Sequence, residues 1–155
     1  MYSMKKNLLI VVLIQFSFFS YSQQMLARAE IKDPIDGICD IKNVYVLFAM
    51  LDKAQVEAAC SIPDSAIQNR LNAEVEFIKD KPKHKDKGMV SIIINCKGEV
   101  VECKIDNKSK SPVLDEQVLK VFKTLTSWKA AKLNDKEVDS LRLWSYELKN
   151  GKIIL

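Results

Sequence analysis

His84 is the single histidine, and so the only imidazole in the chain that could act as a general base. A Ser-His-Asp or Cys-His system needs a nucleophile beside the histidine and an acid that orients its ring. His84 instead lies in a charged run at 79–87, where nothing supplies a buried nucleophile. The sequence therefore predicts a solvated histidine and no catalytic triad.

The four cysteines are Cys39, Cys60, Cys96 and Cys103. Their spacings are too long for paired zinc ligands, so no metal site is predicted. Four cysteines allow three disulfide connectivities. A bridge between Cys96 and Cys103 would exceed the usual Cα separation of about 7 Å, because the first lies beside a predicted turn and the second several residues along the next strand. Among the pairings that stay open, we favour Cys39 with Cys60.

Asp115 and Glu116 are candidate acid–base residues, but neighbours on a helix point in different directions. Their place at a predicted helix start fits the helix dipole better. The four glycines are too scattered for a phosphate-binding loop. Trp128, Trp144 and Tyr146 could line a ligand cleft, although such aromatic residues more often pack in a core. These patterns predict a protein that has no cofactor and is not an enzyme.

The amino terminus has the pattern of a secretory signal peptide. Lys5 and Lys6 precede an apolar run at 8–19, which is shorter than the roughly 20 residues of a membrane-spanning helix. We predict a signal peptide over 1–22, with Gln23 as the first mature residue and an exported protein in the periplasm or cell envelope. Loss of both lysines lowers the formal charge from +4 to +2, which gives no support for nucleic-acid binding.

Residues 88–105 have the alternation of a β-hairpin around the turn Asn95-Cys96-Lys97-Gly98. With Lys97 and Gly98 as the turn residues, three apolar pairs face the core: Ile94 with Val101, Ile92 with Cys103, and Val90 with Ile105. The other face is predicted to be mainly exposed to water and carries Ser91, Ile93, Glu102 and Lys104.

A helix and a third strand follow the hairpin. Val118, Phe122 and Leu125 recur at helical spacing within 113–125. Residues 141–148 alternate as a strand does, and a turn at Asn150-Gly151 would allow 153–155 to fold back briefly.

The part before the hairpin, 23–78, is predicted to be an extension of the domain. It begins with a loosely held stretch at 23–36, followed by a short strand at 44–48 and a helix at 50–60. An amphipathic helix at 61–78 presents one apolar stripe, formed by Ile67, Leu71, Val75 and Ile78.

The densest charge run, 79–87, contains five lysines with a proline in its middle. Because Asp80 and Asp86 interrupt the run, we predict a solvated linker. The alternative is a contact site for an acidic lipid or protein surface.

The order strand, turn, strand, helix, strand over 88–148 resembles the carboxy-terminal domain of the TonB energy-transducer family. The most specific similarities are Leu114-Asp115 at the helix start and Trp128 followed by small residues after the helix. The resemblance implies an α+β domain over 88–155, in which a small three-stranded antiparallel sheet packs on one helix in the order β-β-α-β. The helical extension is similar to one that some family members carry.

Members of this family bind a short amino-terminal segment of outer-membrane transporters by strand addition. The resemblance therefore implies a protein partner, and the physics agrees, since a free sheet edge offers unpaired backbone groups. The candidate partner-binding residues are Leu141, Arg142, Leu143, Trp144, Ser145 and Tyr146. The side chains of Arg142, Trp144 and Tyr146 are expected to tune selectivity.

The chain also departs from the family. Its four prolines are scattered rather than gathered in a spacer, and Ala130 stands in place of the proline that usually follows the tryptophan. We therefore predict a stand-alone, non-enzymatic binding module linked to TonB-dependent transport. The alternatives are a short energy transducer that keeps its leader as an anchor, and an exported structural protein without a transport role.

Overall fold

A computed structural model describes residues 26–155, so the predicted signal peptide lies outside the described residues. The predicted hairpin is present as β5 (Asp86–Ile94) and β6 (Val100–Asn107). Two of the predicted pairs are confirmed, Ile92 with Cys103 and Val90 with Ile105. The third is wrong by one residue: Ile94 lies opposite Val100, because the turn is longer than predicted.

The longer turn is built by Asn95. Its backbone N–H donates to Glu99 O, which leaves three residues in the turn rather than two. Its side-chain Oδ1 accepts hydrogen bonds from the N–H groups of Lys97 and Glu99, both 2.9 Å long. Gly98 completes the turn with φ +81°, a conformation that favours glycine. The ladder absorbs the extra residue as an irregularity between Ile93 and Ile94.

The helix and third strand are also confirmed. Helix α3 (Pro112–Lys123) buries Leu114, Val118 and Phe122 against the sheet. Strand β10 (Ser140–Lys149) pairs with β5 along its length. Asn150 and Gly151, with φ of 52° and 70°, form the predicted turn into β11 (Lys152–Ile154).

The main sheet is larger than the predicted three strands. It has six, because β1 (Ala27–Arg28) and β2 (Tyr45–Val46) also join it, in the order β1-β2-β10-β5-β6 with β11 paired to β10. The sheet is mixed, since β2 runs parallel to β10. The antiparallel β-β-α-β unit is thus the centre of a broader α+β fold.

Two small sheets replace the helix predicted at 50–60, which was wrong. They are built by β3 (Gln55–Val56) with β8 (Ala131–Leu133) and β9 (Lys136–Val138), and by β4 (Ala59–Cys60) with β7 (Trp128–Lys129). A helix does not form at 50–60 because side chains take backbone N–H groups that a helix would need. Gln55 Oε1 accepts a hydrogen bond from Phe48 N–H, and Asp52 Oδ1 accepts one from Ala54 N–H, both 2.9 Å long.

The predicted amphipathic stripe is fully buried, at Ile67, Leu71, Val75 and Ile78. The helix itself is broken in two, α1 (Asp64–Glu74) and α2 (Phe77–Asp80), because Val75 is extended. The Phe77 N–H donates to Gln117 Oε1 at 2.9 Å, which fixes α2 against α3.

The second face of the sheet is not mainly wet, as the buried side chains of Ser91 and Ile93 show. The extension covers it. Residues 30–35 line a cavity together with Glu102 and Lys104, and Gly37 O accepts a hydrogen bond from Asn95 Nδ2 at 2.9 Å. The stretch predicted to be loosely held at 23–36 therefore packs on the sheet over its described part.

Candidate functional site

The outer edge of β10 is the feature that matches the predicted binding strand. One side of β10 pairs with β5 from Ser140 to Leu148. On the other side, β2 pairs only at Ser140 and β11 only from Glu147 onward. Within the part of the chain that the structure describes, residues 141–146 have no strand partner on this side. The stretch is about 20 Å long at the usual rise per residue.

Two observations show which backbone groups point out of this open stretch. Tyr45 N–H donates to Asp139 O at 2.9 Å, so odd-numbered residues face β2. At the other end, Lys149 and Lys152 flank a two-residue turn and are partners across it. The backbone groups of the odd-numbered Lys149 therefore face β11, on the same side of β10 as β2. Because hydrogen-bonding direction alternates along a strand, the N–H and C=O groups of Leu143 and Ser145 point outward.

The side chains of Trp144 and Tyr146 lie on the face of the sheet that packs against α3. Trp144 and Tyr146 are 6% and 1% exposed. The Trp144 ring lies 5.7 Å from that of Phe122 and 5.6 Å from that of Trp128. These two aromatic residues of β10 are mainly packing residues, although Trp144 also lines a groove beside α1, whereas Leu143 and Ser145 are exposed.

Arg142 holds the extension against β10. Its Nη1 donates to Ala58 O at 2.7 Å, and its Nη2 lies 3.4 Å from Glu57 Oε2. The guanidinium also stacks over Trp144, 4.6 Å from the ring centroid. These contacts make Arg142 a positioning residue at one end of the open stretch.

A groove of about 520 Å³ runs beside the open stretch, between β10 and α1. Its α1 wall is formed by Asp64, Ser65 and Gln68. The same helix fixes β11, because Asn72 Oδ1 accepts from Ile153 N–H and Asn72 Nδ2 donates to Ile153 O, both at 2.8 Å. The helix that forms one wall of the groove is therefore bonded to the sheet, and a bound segment could lay its side chains against it.

The disulfide predicted between Cys39 and Cys60 is wrong, because Cys39 is bonded to Cys96 with a Cα separation of 6.1 Å. Cys60 lies instead in β4, opposite Trp128, and Cys60 and Cys103 are free thiols. The extension crosses the sheet and brings Cys39 to the β5–β6 turn. Spacing along the chain gives no signal of that crossing.

Asp139 is a buried carboxylate that sequence reasoning missed. It lies beside the disulfide and accepts hydrogen bonds from the N–H groups of Cys39 at 3.2 Å, Asp40 at 2.6 Å and Cys96 at 2.9 Å. The two sulfurs and this carboxylate lie within 4.8 Å of one another. Because the sulfurs are bonded to each other and the oxygens are occupied by N–H donors, the group is a structural clip rather than a metal site.

His84, which the sequence predicts to be solvated, is partly buried. Its Nε2 lies 3.1 Å from Asp86 Oδ2, and its ring packs edge-on against Phe77. Asp86 belongs to β5, so the predicted linker at 79–87 ends inside the sheet. Burial alone would raise the pKa of Asp86, but hydrogen bonds from the backbone of Lys110 and Lys87 and from His84 outweigh it, so this pKa lies below its usual value.

The structure is an α+β domain with a buried aromatic core and a free stretch of strand edge beside a groove, and an exposed edge of this kind can accept an added strand. Residues 81–148 match the family model described as Gram-negative bacterial TonB protein C-terminal, and this part of the chain is a TonB C-terminal domain. Such domains are generally non-enzymatic and typical of the periplasm. No curated protein and no solved structure matched the chain. Within residues 26–155, no helix is long and apolar enough to cross a membrane.

Proposed function

We propose that this protein is a non-enzymatic, TonB-like binding module of the cell envelope that captures an extended peptide along the open stretch of β10. The observation that carries the proposal is the row of outward backbone groups at Leu143 and Ser145. A peptide strand added there would exchange N–H···O=C hydrogen bonds with both residues. The family resemblance supports an outer-membrane transporter as the source of the peptide.

The pairing strands limit what can bind. β2 closes the open stretch at Ser140 and β11 closes it at Glu147, so a short extended segment fits without displacing either one. Side chains of the added strand would point alternately to the two faces of the sheet. Those on the α1 side would enter the groove beside Asp64, Ser65 and Gln68, which makes this groove the source of selectivity.

Photo-cross-linking in intact cells tests the partner. A photoreactive amino acid at Leu143 should capture an outer-membrane transporter through its amino-terminal segment. The matched control is the same amino acid at Lys104, which is 56% exposed on the same face of the sheet but lies on β6. Equal capture from both positions, or capture of unrelated proteins at Leu143, contradicts the proposal.

Amide hydrogen exchange tests the pairing without a mutation. In the free protein the amides of Leu143 and Ser145 should exchange much faster than those of Arg142 and Trp144, which bond to β5. A synthetic peptide of the cross-linked segment should protect both outward amides. The proposal is lost if that peptide binds and these two amides stay unprotected. Leu143→Pro, which removes one outward donor, should weaken binding while Leu143→Ala should not.

The energy-transducer alternative requires the segment before Gln23 to stay attached as an anchor. Sequencing the amino terminus of the protein recovered from cells separates the two: Gln23 in first place supports a released module, and Met1 or Met4 supports an anchored transducer.

A further inference from the structure

One end of the molecule concentrates exposed lysines, one of which, Lys81, places its Nζ 5.1 Å from the centroid of the Phe77 ring. Three segments meet there: the chain entering β5, the end of β10 and the start of β11. The turn between the last two packs on the first, since a Cβ at Gly151 would lie 3.4 Å from Pro82 O. We define the lysine end by six exposed residues: Lys81, Lys83, Lys85, Lys87, Lys149 and Lys152.

The charge of this end is only partly offset by acidic residues within the described chain. None of the six lysines forms an ion pair within 4.0 Å in residues 26–155. Glu147 lies opposite Lys87 in the sheet and Asp80 is exposed nearby, while Asp86 is buried and bonded to backbone N–H groups. The lysine end therefore keeps a positive excess in a chain whose overall charge is only slightly positive.

The placement of two of these lysines costs stability. Lys149 and Lys152 are directly opposite each other across the hairpin, where like charges repel. An anionic surface bound at this end would relieve that repulsion.

The kind of cation points to the partner. The lysine end contains no arginine, whose planar fork suits a defined carboxylate or phosphate group. Lysines are also depleted at the centres of protein–protein interfaces. Flexible point charges spread over an exposed end suit a diffuse anionic surface, as presented by lipid headgroups. We propose that the lysine end binds anionic lipid bilayers and holds the module at a membrane surface. This proposal does not depend on peptide capture by β10.

Vesicle co-sedimentation of the full chain tests it. The protein should sediment with phosphatidylcholine vesicles that contain phosphatidylglycerol and far less with phosphatidylcholine alone, and added salt should weaken the binding. The variant K83Q/K85Q/K149Q should bind about a hundredfold more weakly, because each of the three lysines contributes about fivefold near such a surface. The matched control is K129Q/K132Q/K136Q, three exposed lysines on β7, β8 and β9.

Three results would overturn the proposal: equal sedimentation with neutral vesicles, equal loss of binding in both variants, or binding of soluble poly-glutamate as tight as that of the charged vesicles. The first would indicate insertion of the apolar amino-terminal segment. The last would indicate an acidic protein partner. Unchanged thermal unfolding of both variants confirms that the comparison is made between folded proteins.

Discussion

The hydroxyl of Tyr146 donates a 2.5 Å hydrogen bond to Oδ1 of Asp115, and this contact joins β10 to the first turn of α3. Asp115 is 7% exposed and also accepts a hydrogen bond from Ser109 N–H at 3.1 Å. Burial raises the pKa of the Tyr146 hydroxyl, and the neighbouring Asp115 carboxylate raises it further. Tyr146 therefore stays protonated and remains a donor to the carboxylate.

Tyr146→Phe should lower the free energy of unfolding by about 1–3 kcal/mol, because it leaves a buried carboxylate short of one donor. Urea denaturation measures the change. The control is Tyr45→Phe, since the Tyr45 hydroxyl forms no hydrogen bond within residues 26–155. Similar effects of the two substitutions would contradict a special role for Tyr146.

Gly88→Ala should destabilise the protein by about 1–3 kcal/mol through overpacking. Gly88 lies opposite Tyr146 in the sheet, and a Cβ there would lie only 2.5 Å from Cζ of the phenol ring. Thermal unfolding measures the loss, with Met89→Ala, a partly exposed neighbour, as the control. A stable Gly88→Ala protein would show that the ring can move aside at little cost.

Removing the disulfide with Cys39→Ser should cost about 2–5 kcal/mol, because the bridge closes a loop with a sequence separation of 57. Cys60→Ser, which removes a free thiol, is the control. Peptide mapping of the unreduced protein should find Cys39 joined to Cys96. A fragment that joins Cys39 to Cys60 would refute the fold of the extension.

Cys103 should react slowly with alkylating reagents at pH 8, because burial raises the pKa of its thiol to about 11. In the Cys60→Ser variant it is the remaining free thiol of the described chain, so its rate can be followed alone. The rate should rise as the pH approaches 11. Urea-unfolded protein, in which burial is lost, should react fast at pH 8; equally fast labelling of the folded form would contradict the prediction.

Stability should fall in acid partly through Asp86. Its pKa is lower in the folded protein than in the unfolded chain, so its contribution is present above the unfolded value of about 3.9 and is lost as the pH falls through the folded value. Asp86→Asn should cost about 1.5–3 kcal/mol at pH 7 and progressively less below pH 4. The control is Asp80→Asn at an exposed position. A constant difference between wild type and Asp86→Asn from pH 7 to pH 2 would contradict this.

The centre of the fold could be predicted because its patterns are local. Alternation over β5, β6 and β10 and helical spacing over α3 depend on neighbours in sequence. The alternation along β10 also indicates which of its two faces is buried. One face carries only large apolar or aromatic side chains, all buried: Trp144, Tyr146 and Leu148. The other face carries exposed residues: Leu143, Ser145 and Glu147. The apolar face of this alternating strand therefore predicts that the aromatic residues of β10 lie in the core.

The extension could not be predicted from sequence because distant residues hold it in place. Asp139 bonds the backbone of Cys39 across 100 residues of sequence. Arg142 reaches the backbone of Ala58 across 84. Neither contact leaves a periodic pattern, so the pairing of Cys39 with Cys96 and the covering of Ile93 become visible only in three dimensions.

The short strands at the two ends of the open stretch of β10 also limit how far a second copy of the protein could pair along β10. A long unpaired edge strand is a template on which identical chains can stack into fibres. With β2 and β11 in place, two copies of this protein cannot zip together along the whole of β10. The open stretch of β10 is long enough for a short added strand but too short for a second copy to pair along the full strand.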